Sequence, residues 1–168
     1  MLRTTIVLMI LTAGSLTAMG SGGGSSSGSG SASDNGSTMK PVSTAPVSAQ
    51  DWYKAGYKAS EAGHYDQAVT DFQKAIDLKP AYAEAYNMLG YSKRKLGNVA
   101  EAFTAYNQAL KLKPNFPEAR EYYGEAYLQD GDLPHAVAQY VVLKKLNGKI
   151  ADELLEKISD FVDQKLKS

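Results

Sequence analysis

A step of 34 residues runs through most of this chain. Gly56, Gly90 and Gly124 fall on it, as do Gly63, Gly97 and Gly131, and Ala68, Ala102 and Ala136. Phe72, Tyr106 and Tyr140 keep the same step, and Pro80 and Pro114 add a fifth column. A unit of that size is too small to bury its own apolar face, so units with this periodicity stack into a solenoid. A stacked array presents a long surface rather than an enclosed pocket. The period therefore favours binding over catalysis.

Within one unit the apolar and small residues Trp52, Ala55, Gly56 and Ala59 recur at i, i+3, i+4 and i+7, the rhythm of one helix face. Gly63, Gly97 and Gly131 interrupt each helix at one phase and suit left-handed C-terminal caps. A partner helix follows from near Asp66 and is expected to bury Ala68, Val69, Phe72, Ala75 and Ile76. Pro80 and Pro114 lie just past the second helices, where proline ends one helix and opens the next. A glycine inside a helix costs ~1 kcal/mol relative to alanine. Close helix–helix approach at Gly56, Gly90 and Gly124 offsets that cost, with Ala68, Ala102 and Ala136 as the expected small partners. Phe72, Tyr106 and Tyr140 are expected to fill the space between successive hairpins.

The first 19 residues read as an export leader. Arg3 is its single charge, Ile6 to Leu11 are apolar, and Ala13, Ser15, Ala18 and Gly20 supply small residues for cleavage. The apolar run is shorter than the ~20 residues needed to span a bilayer. Leu16-Thr17-Ala18 followed by Gly20 resembles a bacterial lipoprotein signal, in which cysteine follows the small residue. Met19 stands there instead, and a thioether accepts no diacylglyceryl group. The expected location is exported and periplasmic, with a peripheral membrane tether if the leader stays uncut. Residues 20–49 are rich in Gly and Ser, with Pro41 and Pro46. That composition buries too little apolar area to offset chain entropy and reads as a disordered linker. Thirty such residues span roughly 30 Å r.m.s.. Helical structure is expected from Gln50 onward.

Trp52, Gly56, Ala68, Phe72, Ala75 and Pro80 in 50–82 resemble the tetratricopeptide repeat signature. So do Tyr86, Leu89, Gly90, Ala102, Tyr106, Ala109 and Pro114 in 83–116. Residues 117–149 keep Tyr123, Gly124, Tyr127, Ala136 and Tyr140. They depart at Arg120, Leu143 and Gly148, where the signature has an aromatic, an alanine and a proline, as suits a terminal unit. Residues 150–168 add a helix whose Leu154, Leu155, Ile158, Phe161 and Val162 form one stripe. It is expected to be a solvating cap, with a dimerisation helix as the alternative.

The resemblance implies an all-α fold, a right-handed solenoid of helix–turn–helix hairpins whose first helices line a concave groove for a protein or peptide. Beside the packing residues stand Tyr53, Tyr57 and Ser60, then Asn87, Tyr91 and Arg94, then Glu121, Glu125 and Leu128. Each is an i, i+4, i+7 set whose side chains project together. The groove is expected to be aromatic at its start, cationic around Arg94 and Lys95, and acidic at its end. A peptide with a basic and an apolar part would complement it. Members of the family that grip chaperone C-termini use cationic and amide side chains as a carboxylate clamp. The matching places here hold Tyr53, Tyr57, Met88, Glu118 and Tyr122, which disfavours that partner.

Lys plus Arg and Asp plus Glu each total 18, so no net charge draws the chain to nucleic acid or anionic lipid. Lys93-Arg94-Lys95 is too short for a nucleic-acid patch and suits a helix end. There is no cysteine, which removes thiolate chemistry and disulfides. His64 and His135 occupy equivalent turns, and Asp130 and Asp132 around Gly131 read as turn and N-cap chemistry rather than a metal cluster. No cofactor, small-molecule substrate or enzymatic activity is expected. The expected function is an exported interaction adaptor in bacterial envelope assembly. Self-association through the cap helix or the open repeat ends is the second reading.

Overall fold

The computed structural model describes residues 48–167, so the leader and nearly all of the linker lie outside the described residues. Seven helices follow in order among the described residues: α1 (Ala49–Glu61), α2 (Tyr65–Leu78), α3 (Ala83–Lys95), α4 (Val99–Leu112), α5 (Pro117–Asp130), α6 (Leu133–Leu146) and α7 (Gly148–Lys167). The first six form three antiparallel hairpins, α1/α2, α3/α4 and α5/α6, and α7 packs against both α5 and α6. This is the all-α hairpin solenoid that the period demands. α1 begins one residue before Gln50 because Ser48 caps it, its side chain accepting from the Asp51 amide at 3.1 Å.

The turn glycines behave as their phase requires. Gly63, Gly97 and Gly131 have φ of 78°, 85° and 86°, values that favour glycine. Each closes a helix by the same pair of bonds. In the third turn the Gly131 amide donates to Leu128 O at 3.1 Å and the Asp132 amide to Tyr127 O at 2.8 Å. Asp132 then caps α6, accepting from the His135 amide at 3.2 Å and pairing with His135 Nδ1 at 2.6 Å. His64 stands at the N-cap of α2 without a side-chain cap bond.

The interior glycines meet partners other than the alanines. A Cβ on Gly56 would lie 2.9 Å from the Phe72 ring, and one on Gly90 would lie 2.7 Å from the Tyr106 ring. Phe72 and Tyr106 are fully buried, so the missing methyl makes room for an aromatic face. The third unit breaks the pattern. Gly124 faces Leu154 of α7 at 2.7 Å, and Tyr140 is only half-buried. The expectation that Tyr140 fills the equivalent space is therefore corrected, because α7 supplies the filler from outside the hairpin.

The departures at 143 and 148 serve that closure, and the one at 120 ties the third hairpin to the turn before it. Leu143, where the first two units carry Ala75 and Ala109, is fully buried with Leu128, Ala136, Ala151, Leu154 and Ile158. Arg120 donates to Gln139 Oε1 at 3.2 Å and to Pro114 O at 2.9 Å in place of burying an aromatic ring. α7 starts at Gly148 rather than at 150, and Asn147 alone separates it from α6. The Asn147 side chain accepts from the Ile150 amide at 3.3 Å, so one residue ends α6 and caps α7. On α7, Leu154 and Ile158 are buried, Phe161 and Val162 half-buried, and Leu155 is 43% exposed. Among the described residues no helix is long and apolar enough to cross a membrane.

Candidate functional site

The first helices of the hairpins share one face, and a small cleft opens on it. Its volume is about 120 Å³, and Tyr57, Ser60 and Glu61 of α1, Met88 and Tyr91 of α3 and Tyr122 of α5 line it. Three helices from three repeats thus meet at one aromatic site. Tyr91 and Tyr122 have ring centroids 5.2 Å apart, and Tyr65 of α2 extends the series by an edge contact to Tyr91 at 6.1 Å. Burial, together with Glu121 and Tyr91, pushes the Tyr122 hydroxyl well above its ordinary value. Tyr57 keeps 40% of its surface exposed and stands at the mouth of the cleft.

The candidate residues read from the sequence divide into three groups. Tyr57 and Tyr91 are brought together in the cleft. Tyr53 turns into the packing instead, its ring 5.7 Å from Phe72 and 5.2 Å from Tyr82, and burial beside Tyr82 pushes its hydroxyl up to about 12. Asn87 is 4% exposed and does not line the cleft. Arg94, Glu121 and Glu125 form the third group, and they pair rather than stand free. Arg94 Nη2 lies 2.5 Å from Glu125 Oε2, and Lys157 of α7 donates to Glu121 Oε1 at 2.7 Å and also to Glu125.

That network changes the electrostatics of the face. A cationic middle followed by an open acidic end was the sequence expectation. In the structure Arg94 and Glu125 cancel across α3 and α5 and Lys157 of α7 closes the acidic end, while Lys95 stays exposed beside the Tyr65 and Tyr91 rings. Burial holds the Glu121 carboxyl above the usual range despite Lys157. Burial alone would lower Lys157, and Glu125 and Glu121 outweigh it so that its ammonium is held above the ordinary lysine value.

Glu61, Met88 and Tyr122 line the cleft but stand outside the three rows chosen from the sequence, where Met88 and Tyr122 figure only as places matching a carboxylate clamp. Met88 and Tyr122 are one repeat apart, on the column adjoining those rows. A second, open depression of about 580 Å³ lies on the α2/α4 side, lined among others by Gln73, Lys93, Glu101, Thr104, Gln108 and Lys111. It is larger, but its lining mixes Tyr86, Leu89 and Ala105 with those polar side chains, and Lys93 and Glu101 pair with each other across it at 2.5 Å. Among the described residues no group of three or more His, Cys, Asp or Glu side chains is placed to hold a metal ion.

A chain of stacked helical hairpins with an aromatic cleft on its first helices belongs to the helical-repeat interaction modules. The tetratricopeptide repeat family model matches residues 53–115 and 87–144, and the chain belongs to that family. No curated protein matches the chain. Among solved structures, it is similar to the first such domain of Spaghetti (RPAP3) bound to the HSP90 peptide SRMEEVD. The identity there is 25% and the TM-score 0.63, over 71% of this chain and 94% of that one. It also resembles the fold of the Yersinia enterocolitica type III secretion translocator chaperone SycD, at 22% identity and a TM-score of 0.61, over 71% and 92% of the two chains. A type III secretion complex from Aeromonas hydrophila shares the fold at 21% identity and a TM-score of 0.63, over 71% and 84%.

Proposed function

We propose that this protein is an exported, non-enzymatic adaptor that holds an extended segment of a partner protein on the α1/α3/α5 face, in bacterial envelope assembly. The observation that carries the reading is the cleft in which Tyr57, Met88, Tyr91 and Tyr122 converge from three successive repeats. Tyrosines bring large contact area with few rotamers and add a hydroxyl, a composition suited to recognition. The peptide-bound state of the RPAP3 domain supports a peptide as occupant. The leader-like pattern of the first 19 residues supports export.

The paired charges refine the partner. Glu121 and Glu125 are already engaged by Arg94 and Lys157, so a basic segment gains little there. Apolar, aromatic or proline side chains fit the cleft better, because their burial needs no counter-charge. The carboxylate-clamp mode stays disfavoured, since Tyr53, Tyr57, Met88, Glu118 and Tyr122 hold the clamp positions.

Selection from a displayed random-peptide library on the purified chain tests this reading. The expected result is enrichment of apolar or proline-bearing sequences whose binding weakens at least tenfold in Tyr57→Ala/Tyr91→Ala, with the circular dichroism spectrum unchanged. Peptides that bind both proteins equally would move the site off this face. Export is checked separately, by the mass of the mature N-terminus recovered from envelope fractions.

A further inference from the structure

The outer face of α6 is unlike the same face of α2 and α4, and the repeat itself supplies the comparison. Position by position, Ala138 replaces Thr104 and Thr70, Val141 replaces Asn107 and Gln73, and Val142 replaces Gln108 and Lys74. At these three positions two units are polar and the third is apolar, whereas 137 and 146 are apolar in every unit, matching Val69 and Phe103, and Leu78 and Leu112. Val137, Val141, Val142 and Leu146 remain 39%, 50%, 39% and 36% exposed, and Pro134 and Ala138 are exposed beside them. Pro134, Ala138, Val141 and Lys145 follow i, i+4, i+7 and i+11, so they form one line along the helix with Val137 and Val142 on its flanks. No other described element covers this line. The buried side of α6, carrying Ala136 and Leu143, is the one that α5 and α7 use.

The charges at the two ends of that line identify what covers it. Asp130 ends α5 and Asp132 caps α6, where it is engaged with His135 at 2.6 Å, and Lys144 and Lys145 stand at the C-terminal end of α6. Lys144 is engaged with Asp152 of α7 at 2.5 Å, whereas Lys145 is exposed on the apolar line itself. A helix with aspartates just before its start, lysines at its end and valines between is complementary to its own antiparallel copy. The aligned backbone dipoles add to that preference. A twofold axis near the middle of α6 sets Val137 against Val142 of the other copy and brings each Lys145 to the other's acidic end.

We infer that the outer face of α6 is a homodimer surface, in which a second copy of this chain packs its own α6 antiparallel through Ala138, Val141 and Val142. The surface is separate from the aromatic cleft, so a dimer presents two clefts to one partner and gains avidity from them. One helix of 14 residues is about 21 Å long, so the contact belongs to the small, reversible class and dissociates in about the micromolar range.

Sedimentation velocity of the full chain, over concentrations from about 1 to 500 μM, tests the inference. Wild type is expected to pass from monomer to dimer across that range. The variant Ala138→Thr/Val141→Asn/Val142→Gln writes the residues of the second repeat into the third, a set that α4 already carries on the same face. It is expected to raise the dissociation constant at least tenfold with its thermal melt unchanged. Lys145→Glu is expected to weaken the dimer severalfold with the valines intact. A third readout fixes orientation, because the chain has no cysteine. Mixed Ala138→Cys and Val141→Cys chains should cross-link to each other faster than either does to itself. A wild type that stays monomeric throughout overturns the inference, and so does a dimer that survives the triple substitution.

Discussion

A methyl group added at Gly90 would sit 2.7 Å from the Tyr106 ring, a distance that carbon contacts do not reach without movement. Tyr106 is fully buried and carries Ala102, Tyr123 and Ala126 around it, so the ring has nowhere to go. Two effects oppose each other in Gly90→Ala. Helix propensity favours alanine by ~1 kcal/mol, while overpacking a filled core costs ~1–3 kcal/mol. Overpacking wins, and Gly90→Ala is expected to destabilise the domain by about 1 kcal/mol in urea unfolding. Stabilisation instead would mean that the glycine column records no close approach. The same logic explains why this column is legible from sequence at all. A residue that costs a helix stability recurs only where its absence of side chain is used.

The helix scale is where the third unit departs from the other two. In the hairpins α1/α2 and α3/α4 the aromatic that covers the glycine comes from the partner helix, whereas Leu154 of α7 covers Gly124. Leu154 is fully buried, so Leu154→Ala is expected to cost about 2–5 kcal/mol. Gly124→Ala should be costly alone and tolerated in the Leu154→Ala background, where its methyl enters the vacated space. The coupling between the two substitutions is expected to be at least ~1 kcal/mol. Coupling of Gly124→Ala with Tyr140→Ala in its place would show that the hairpin partner does the covering. Tyr140 has the right phase in the sequence, and phase alone could not reveal that a helix beyond the repeat competes for the same site. Hairpin periodicity, caps and turn glycines were readable because each is a local requirement repeated three times. The pairing of Arg94 with Glu125, and of Lys157 with Glu121, depends on how neighbouring first helices nest. One clue was available, since Lys157 less one repeat falls at 123, between the two glutamates it meets.

Across the whole described domain, tyrosine is the residue that ties packing, cleft and pH response together. Burial, with its neighbours' charges, pushes the Tyr53 hydroxyl up to about 12 and raises Tyr91, Tyr106, Tyr122 and Tyr127. They lie on α1, α3, α4 and α5, so every hairpin contributes. Each is held protonated in the folded chain above the pH at which it ionises in the unfolded one, about 10. Between those two values the unfolded state has lost a proton that the folded state retains, so stability falls as pH rises. Lys157 acts in the same direction. Its raised value means that its ion pairs with Glu121 and Glu125 contribute fully below about pH 10 and are lost above it. The sum is a domain insensitive to base up to about pH 10 and then cooperatively unfolded over the next units. Tyrosinate absorbance near 295 nm and far-ultraviolet circular dichroism, followed together from pH 8 to 13, are expected to show one coincident transition above about pH 10 for the buried set. Complete tyrosine ionisation near pH 10 with the helical signal intact would show that these rings are solvated. It would remove the packing account of Tyr53 and Tyr106 together with the aromatic cleft that rests on the same burial.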